Sequence, residues 1–139
     1  MILRLCPDQI KDYWELVNKT IDVTFPESQM ATKSALLKDL MLEVAQCWFH
    51  MTDDDINAVI ISKINNDYAV GRKTFTVVAF YGVRPINESI MQEAFDTAAK
   101  FAKDRDCYFL DFYTTSEKIL KYAMGFDIFW RSHYIQMRL

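Results

Sequence analysis

Three consecutive β-patterned runs, framed on both sides by helical periodicity, constrain this chain more than any other feature. Cys47-Trp-Phe-His-Met-Thr52 is strand-like, Asp53-Asp54-Asp55 is a polar turn, and Ala58–Ile64 is rich in β-branched residues. Together they predict a hairpin. Asn65 through Gly71 forms the next turn region, and Lys73–Tyr81 (KTFTVVAFY) is the strongest strand pattern in the chain, closed by Pro85. Three adjoining strands joined by short polar turns read as a meander. The helices must then come from the segments before and after it.

Both flanks supply them. Met1–Cys6 is a short apolar run ended by Pro7, which suits a first strand. Asp8 stands where a helix N-cap would, and Ile10, Tyr13, Trp14, Val17 and Ile21 recur at three and four residues, one face of a helix. Thr24–Ser28 breaks that pattern. Ala35, Leu36, Leu40, Met41 and Val44 then make a second helical face, starting between Ser28 and Ser34. After the meander, a long helix is expected from about Asn87 to Asp104. Ser89 with Gln92 fits a capping box, and Met91, Ala94, Phe95, Ala98 and Ala102 form the apolar stripe. Cys107–Tyr113 is a further strand. Thr114 or Ser116 can cap a short helix through Met124, and Gly125 suits the left-handed position that ends it. Asp127–Trp130 and Tyr134–Arg138 are expected as two closing strands. The order is β-α-α-β-β-β-α-β-α-β-β, a single α+β domain over residues 1–139.

Composition narrows the class. The chain has 139 residues, 51% of them hydrophobic and 25% charged, which suits one folded domain and excludes wholesale disorder. Sixteen Lys+Arg against nineteen Asp+Glu leave a formal charge of −3, so no global field draws the chain to nucleic acid. Cys6, Cys47 and Cys107 are odd in number and lack CxxC spacing. Disulfide and zinc frameworks are therefore poor readings, and a reduced cytosolic setting is expected. No apolar run approaches the roughly 18 residues of a membrane span. The expectation is a soluble, cytoplasmic protein with no membrane, nucleic-acid or metal partner. Glycine is the anomaly: only Gly71, Gly82 and Gly125 occur, where average usage of about 7% would give roughly ten.

In its order of elements the sequence resembles the GNAT acyltransferase superfamily across nearly its whole length. Phe75–Pro85 (FTVVAFYGVRP) resembles the family's fourth strand running into a V-x-P. Ala102–Cys107 (AKDRDC) is similar to the end of its long helix, and Leu120–Phe126 (LKYAMGF) to the L-Y-x-x-x-G-F segment that ends the next one. The resemblance implies a GNAT-like mixed central sheet of about seven strands flanked by helices. It also implies an acyl-CoA cofactor whose pyrophosphate rests on a loop resembling Q/R-x-x-G-x-G/A before the long helix. Backbone N–H groups must approach an anion closely there, and side chains at the glycines obstruct them.

The matching frame here is Arg84-Pro-Ile-Asn-Glu-Ser89. Arg84 fits the first position, but Asn87 and Ser89 replace the glycines and Glu88 adds a negative charge. Arg84, Asn87, Glu88 and Ser89 are thus the cofactor-binding candidates only if acyl-CoA binds at all. Family members often carry a tyrosine that protonates the leaving thiolate. That position is Lys121 here, and Tyr122, one residue late, is turned by about 100° on a helix. The strand Lys73–Tyr81 holds no Asp or Glu to serve as the family's usual base. Glu27, His50 and Asp111 remain as base candidates, each without a motif. His50 reads equally as a strand-edge histidine with one hydrogen bond, His133 as a turn residue, Cys107 as a small buried side chain and Asp53–Asp55 as a solvated turn.

Missing glycines, a displaced tyrosine and a surplus of aromatics (Tyr108, Phe109, Phe112, Tyr113, Phe126, Phe129, Trp130, Tyr134) predict a GNAT-like domain without acyl transfer. Its expected role is a structural or protein-interaction module with a protein partner, no cofactor, and edge-strand dimerisation compatible with the pattern. Compact GNAT-like proteins of this kind are encoded by bacteriophages, some virion-associated, and the short chain is similar to them in style. The alternative is an active acyl-CoA-dependent N-acyltransferase with a divergent loop, with acetyl-CoA or another acyl-CoA as cofactor.

Overall fold

The computed structural model describes residues 1–25, 30–68, 71–112, 117–125 and 137–139. Strand β1 (Ile2–Arg4) leads through Pro7, at the first helical position, into α1 (Pro7–Asp12) and α2 (Trp14–Thr24). Helix α3 (Met30–Met41) precedes the meander of β2 (Ala45–Thr52), β3 (Asp55–Asp67) and β4 (Arg72–Gly82). Then come α4 (Glu88–Lys103), β5 (Cys107–Phe112) and α5 (Glu117–Ala123).

The described strands form one five-stranded mixed sheet in the order β1-β2-β3-β4-β5. Neighbours from β1 to β4 are antiparallel, while β5 lies parallel to β4, the crossover being made by α4. Asp53, with φ 55°, turns the tight β2–β3 hairpin after Thr52↔Asp55. A bulge between Ile61 and Ser62 opposite β4 leaves Val78 without a cross-strand partner on β3.

Period-2 alternation divides the side chains between the two faces of the sheet. Cys47, Phe49, Val59, Ile61 and Ala79 pack against Ile10, Val17, Ile21 and Leu40 of α1–α3 in one tightly buried cluster. Burial pushes the Cys47 thiol up to about 12, so it stays a neutral apolar filler. Trp48, His50, Ala58 and Ile60 line the opposite face, under α4. Trp48 Nε1 donates to Ser62 Oγ (2.9 Å), whose hydroxyl in turn donates to Gln46 Oε1 (2.9 Å), so these buried polar atoms are paired.

Several expectations are corrected. Five strands are described rather than about seven; the expected closing strands fall almost wholly on residues 126–136, outside the described residues, and Met137–Leu139 form no strand. The first helix is two, α1 and α2, because Tyr13 (φ −108°, ψ 23°) interrupts it, so the expected order is not matched. Cys6 rather than Asp8 is the N-cap of α1, with its N–H donating to Gln9 Oε1 (2.9 Å). Asn87 rather than Ser89 caps α4. Gly125 is not left-handed: only Gly71 among the described glycines has positive φ, and Gly125 N–H instead bonds the Tyr122 carbonyl (3.1 Å). Thr114, Ser116, Tyr113, Phe126, Phe129, Trp130, His133, Tyr134 and Glu27 lie outside the described residues.

Candidate functional site

Among the described residues the pairing of β4 with β5 runs from Lys73↔Cys107 to Val77↔Phe112. Past Val77, β4 continues to Gly82, with residues 79–82 paired to β3. The chain then turns over residues 83–87 into α4. That turn is drawn back onto the sheet: the N–H groups of Val83 and Arg84 both donate to the Asn57 carbonyl, at 2.9 and 3.2 Å. Gly82 is needed for the close approach, since a Cβ there would stand 3.1 Å from Ile86 Cγ1 and 3.2 Å from the Arg84 carbonyl oxygen.

At the N-terminus of α4 the orphan donors face the turn. Asn87 Oδ1 accepts from Ile90 N–H (2.9 Å), so the helix caps itself, and Glu88 places a carboxylate in the first turn. Arg84 is committed elsewhere, with Nη1 on Asp55 Oδ2 at 3.0 Å across the β2–β3 hairpin. Lys118 of α5 donates its ammonium to the Ile86 carbonyl. Of the first-turn amides, those of Glu88 and Ser89 lack an intrahelical acceptor by helix geometry. Two residual donors beside a carboxylate make a weak anion site.

The three catalytic candidates occupy separate places. Tyr122 on α5 stacks on Phe95 (centroids 5.5 Å apart) and donates its hydroxyl to Gln92 Oε1 at 2.6 Å. Loss of hydration, with Asp96 and Glu88 nearby, pushes its phenol above the ordinary value. Asp111 is exposed on β5, pointing away from Leu110 and Phe112, which face α4. His50 is not at a sheet edge. It sits in the middle of β2, between Ile2 and Ala58, at 3% exposure. Asn57 Nδ2 approaches His50 Nδ1 (3.1 Å) while also donating to Thr52 Oγ1 (2.7 Å). The network assigns the ring proton to Nε2, which donates to Glu93 Oε2 at 2.7 Å. The other Glu93 oxygen takes the Met1 ammonium at 2.9 Å. With both ring nitrogens occupied, His50 ties α4 to the sheet and has no lone pair to spare for a substrate proton. Glu93, Asn57 and Lys118 carry no motif that marks them in the sequence.

Between α4 and the sheet lies a cavity of about 690 Å³. Its existence follows from the stripe on α4. Met91 and Ala102 are buried, while the small side chains of Ala94 and Ala98 line the space above Ala58 and Ile60. Among the described residues no buried side-chain N or O atom lacks a partner, and no cluster of three potential ligands could hold a metal ion. No helix of the described residues is long and apolar enough to cross a membrane.

The chain matches no protein-family model and no curated protein. Its fold does match solved structures. A structure titled a predicted acetyltransferase with acetyl-CoA, from Clostridium acetobutylicum, superposes with TM-score 0.74 at 11% identity, covering 99% of this chain and 95% of the other. The chain has the GNAT fold. A ribosomal-protein-alanine N-acetyltransferase from Brucella melitensis biovar Abortus 2308 gives TM-score 0.67 at 15% identity over 99% of both chains. An aminoglycoside N-acetyltransferase in complex with CoA gives 0.70 at 12% identity, covering 100% of this chain and 95% of that one. In this chain the bulge opposite Ser62, the turn over residues 83–87 and α4 frame the candidate site.

Proposed function

We propose that this is a GNAT-fold domain that no longer works as an acyltransferase and serves as a structural or protein-interaction module. The observation that carries the reading is the N-terminus of α4. Its Ile90 amide is taken by Asn87, the Val83 and Arg84 amides are spent on Asn57, and Glu88 repels phosphate. The commitment of Tyr122 to Gln92 and of both His50 nitrogens to neighbours within the fold supports it. Exposed apolar side chains such as Tyr108, Leu120 and Met124 support a protein partner, and a virion-associated role is one setting for it.

The second reading, an acyl-CoA-dependent N-acyltransferase, is favoured by one observation. The fold superposes, over 99% of this chain, on a predicted acetyltransferase with acetyl-CoA. Structural neighbours solved with CoA and acetyl-CoA give that reading its cofactor.

Thermal unfolding with and without millimolar acetyl-CoA separates the two. Ligand at about 100 times its dissociation constant adds roughly 2.7 kcal/mol and raises the midpoint by several degrees. The expected result is no shift. A clear upward shift would contradict the proposal.

A further inference from the structure

The cavity beneath α4 has no part in the function proposed above, and its chemistry is independent of that reading. At about 690 Å³ it lies within the roughly 300–1,000 Å³ of small-molecule sites. It reaches from Trp48 and Leu110 under the helix to Phe25 at the end of α2. Its wall is apolar. His50, the titratable group facing it, has both ring nitrogens engaged, and the Thr24 hydroxyl lies 3.5 Å from the Phe80 carbonyl. Such a space holds water poorly and hydrocarbon well.

One end has a different character. Met91 on α4 lines both this cavity and an adjoining crevice between α4 and α5. Among the described residues that line the crevice, Gln92 and Tyr122 are polar, and two cations, Lys118 and Lys121, stand against one carboxylate, Glu88. Lys118 is placed there by its bond to the carbonyl of Ile86, itself a cavity residue. An apolar chamber opening beside a net positive crevice is complementary to an amphiphile with an anionic head.

We propose that this chain binds a single-chain fatty carboxylate, with the hydrocarbon in the α4 cavity and the head group between Lys118 and Lys121. No bond is made or broken. The head replaces solvent at the two ammonium groups, and the chain replaces the void against Ala94 and Ala98.

Calorimetric titration of the full chain with octanoate, decanoate and dodecanoate, below their micellar concentrations, tests it. Saturable one-to-one binding is expected, each added methylene tightening it by roughly three- to fourfold until the cavity is filled. Ala98→Phe should abolish binding, and Ala94→Leu, a milder filling, should weaken it while keeping the native circular dichroism. Lys118→Glu with Lys121→Glu should weaken dodecanoate about tenfold or more and leave dodecanol unchanged. Absence of saturable binding at any chain length overturns the proposal, as does undiminished binding by a folded Ala98→Phe variant. Binding of dodecanoyl-CoA with no binding of dodecanoate overturns it too, and in that case the thermal test with acetyl-CoA reports separately on the α4 N-terminus.

Discussion

Phe49→Ala is expected to lower the unfolding free energy by about 3–5 kcal/mol, close to the whole stability of many domains this size. Phe49 is 2% exposed, in the centre of the cluster formed by α1, α2, α3 and the sheet, with its ring edge-on to Tyr13 at 5.1 Å. Truncation there removes close-packed contacts on every side and leaves a void that the surrounding strands cannot collapse into. Ile60→Ala is the informative companion. Ile60 sits on the other face of the sheet, half-buried at the cavity wall, where one side of its chain has few partner atoms to lose. Its cost should be nearer 1–2 kcal/mol, below the usual range for a buried isoleucine. Urea denaturation of the two variants reads the difference directly. Equal losses would mean that both faces are packed alike, and the cavity would have no energetic signature.

Glu93→Ala is expected to cost about 1–3 kcal/mol, because it strands the buried Nε2–H of His50 without an acceptor and leaves the Met1 ammonium with the Met51 carbonyl but no carboxylate. It should also change the acid limb of the stability profile. The Met1 ammonium, above all, and then His50 hold the Glu93 carboxyl below its ordinary value. A carboxyl with a depressed pKa in the folded state contributes stability above its unfolded value, near 4.5, and loses it as the pH falls through the folded value. The parent protein should therefore lose this contribution below about pH 4.5, whereas Glu93→Ala has none to lose. Unfolding curves between pH 3 and 7 should show the two proteins converging toward acid. Parallel profiles would remove Glu93 from the network that ties α4 to the sheet.

The strands were legible because their signal is local: the β-patterned runs at 47–52, 58–64 and 73–81 fall within β2, β3 and β4, whereas the face each buries appears only in the assembled sheet. The stripe on α4 was legible for the same reason. The break at Tyr13 was not, because Ile10, Tyr13, Trp14 and Val17 keep one apolar face across it, and periodicity reports the face rather than the continuity of the axis. The cap of α4 went to Asn87 rather than Ser89 since both residues suit the position and the approach of the chain from Gly82 decides between them. At the site, the replaced glycines and Glu88 could be read from the sequence. The pairing of His50 with Glu93, 43 residues apart, and the spending of the Val83 and Arg84 amides on Asn57 could not, because they exist only once β2, β3 and α4 are assembled. The cavity was hidden for the same reason. Alanines at 94 and 98 look like ordinary helix formers until the depth of the space below them is known.

The proposed loss of acyl transfer depends above all on an N-terminus of α4 with too few free donors, beside Glu88, to hold a pyrophosphate. Backbone amide spectra of the labelled protein, titrated with CoA to millimolar concentration, test this residue by residue. Unchanged resonances are expected for Val83, Arg84, Glu88, Ser89 and Ile90. Saturable shifts concentrated on those amides would show that the turn opens and receives the pyrophosphate, and the acyltransferase reading would then stand in its place.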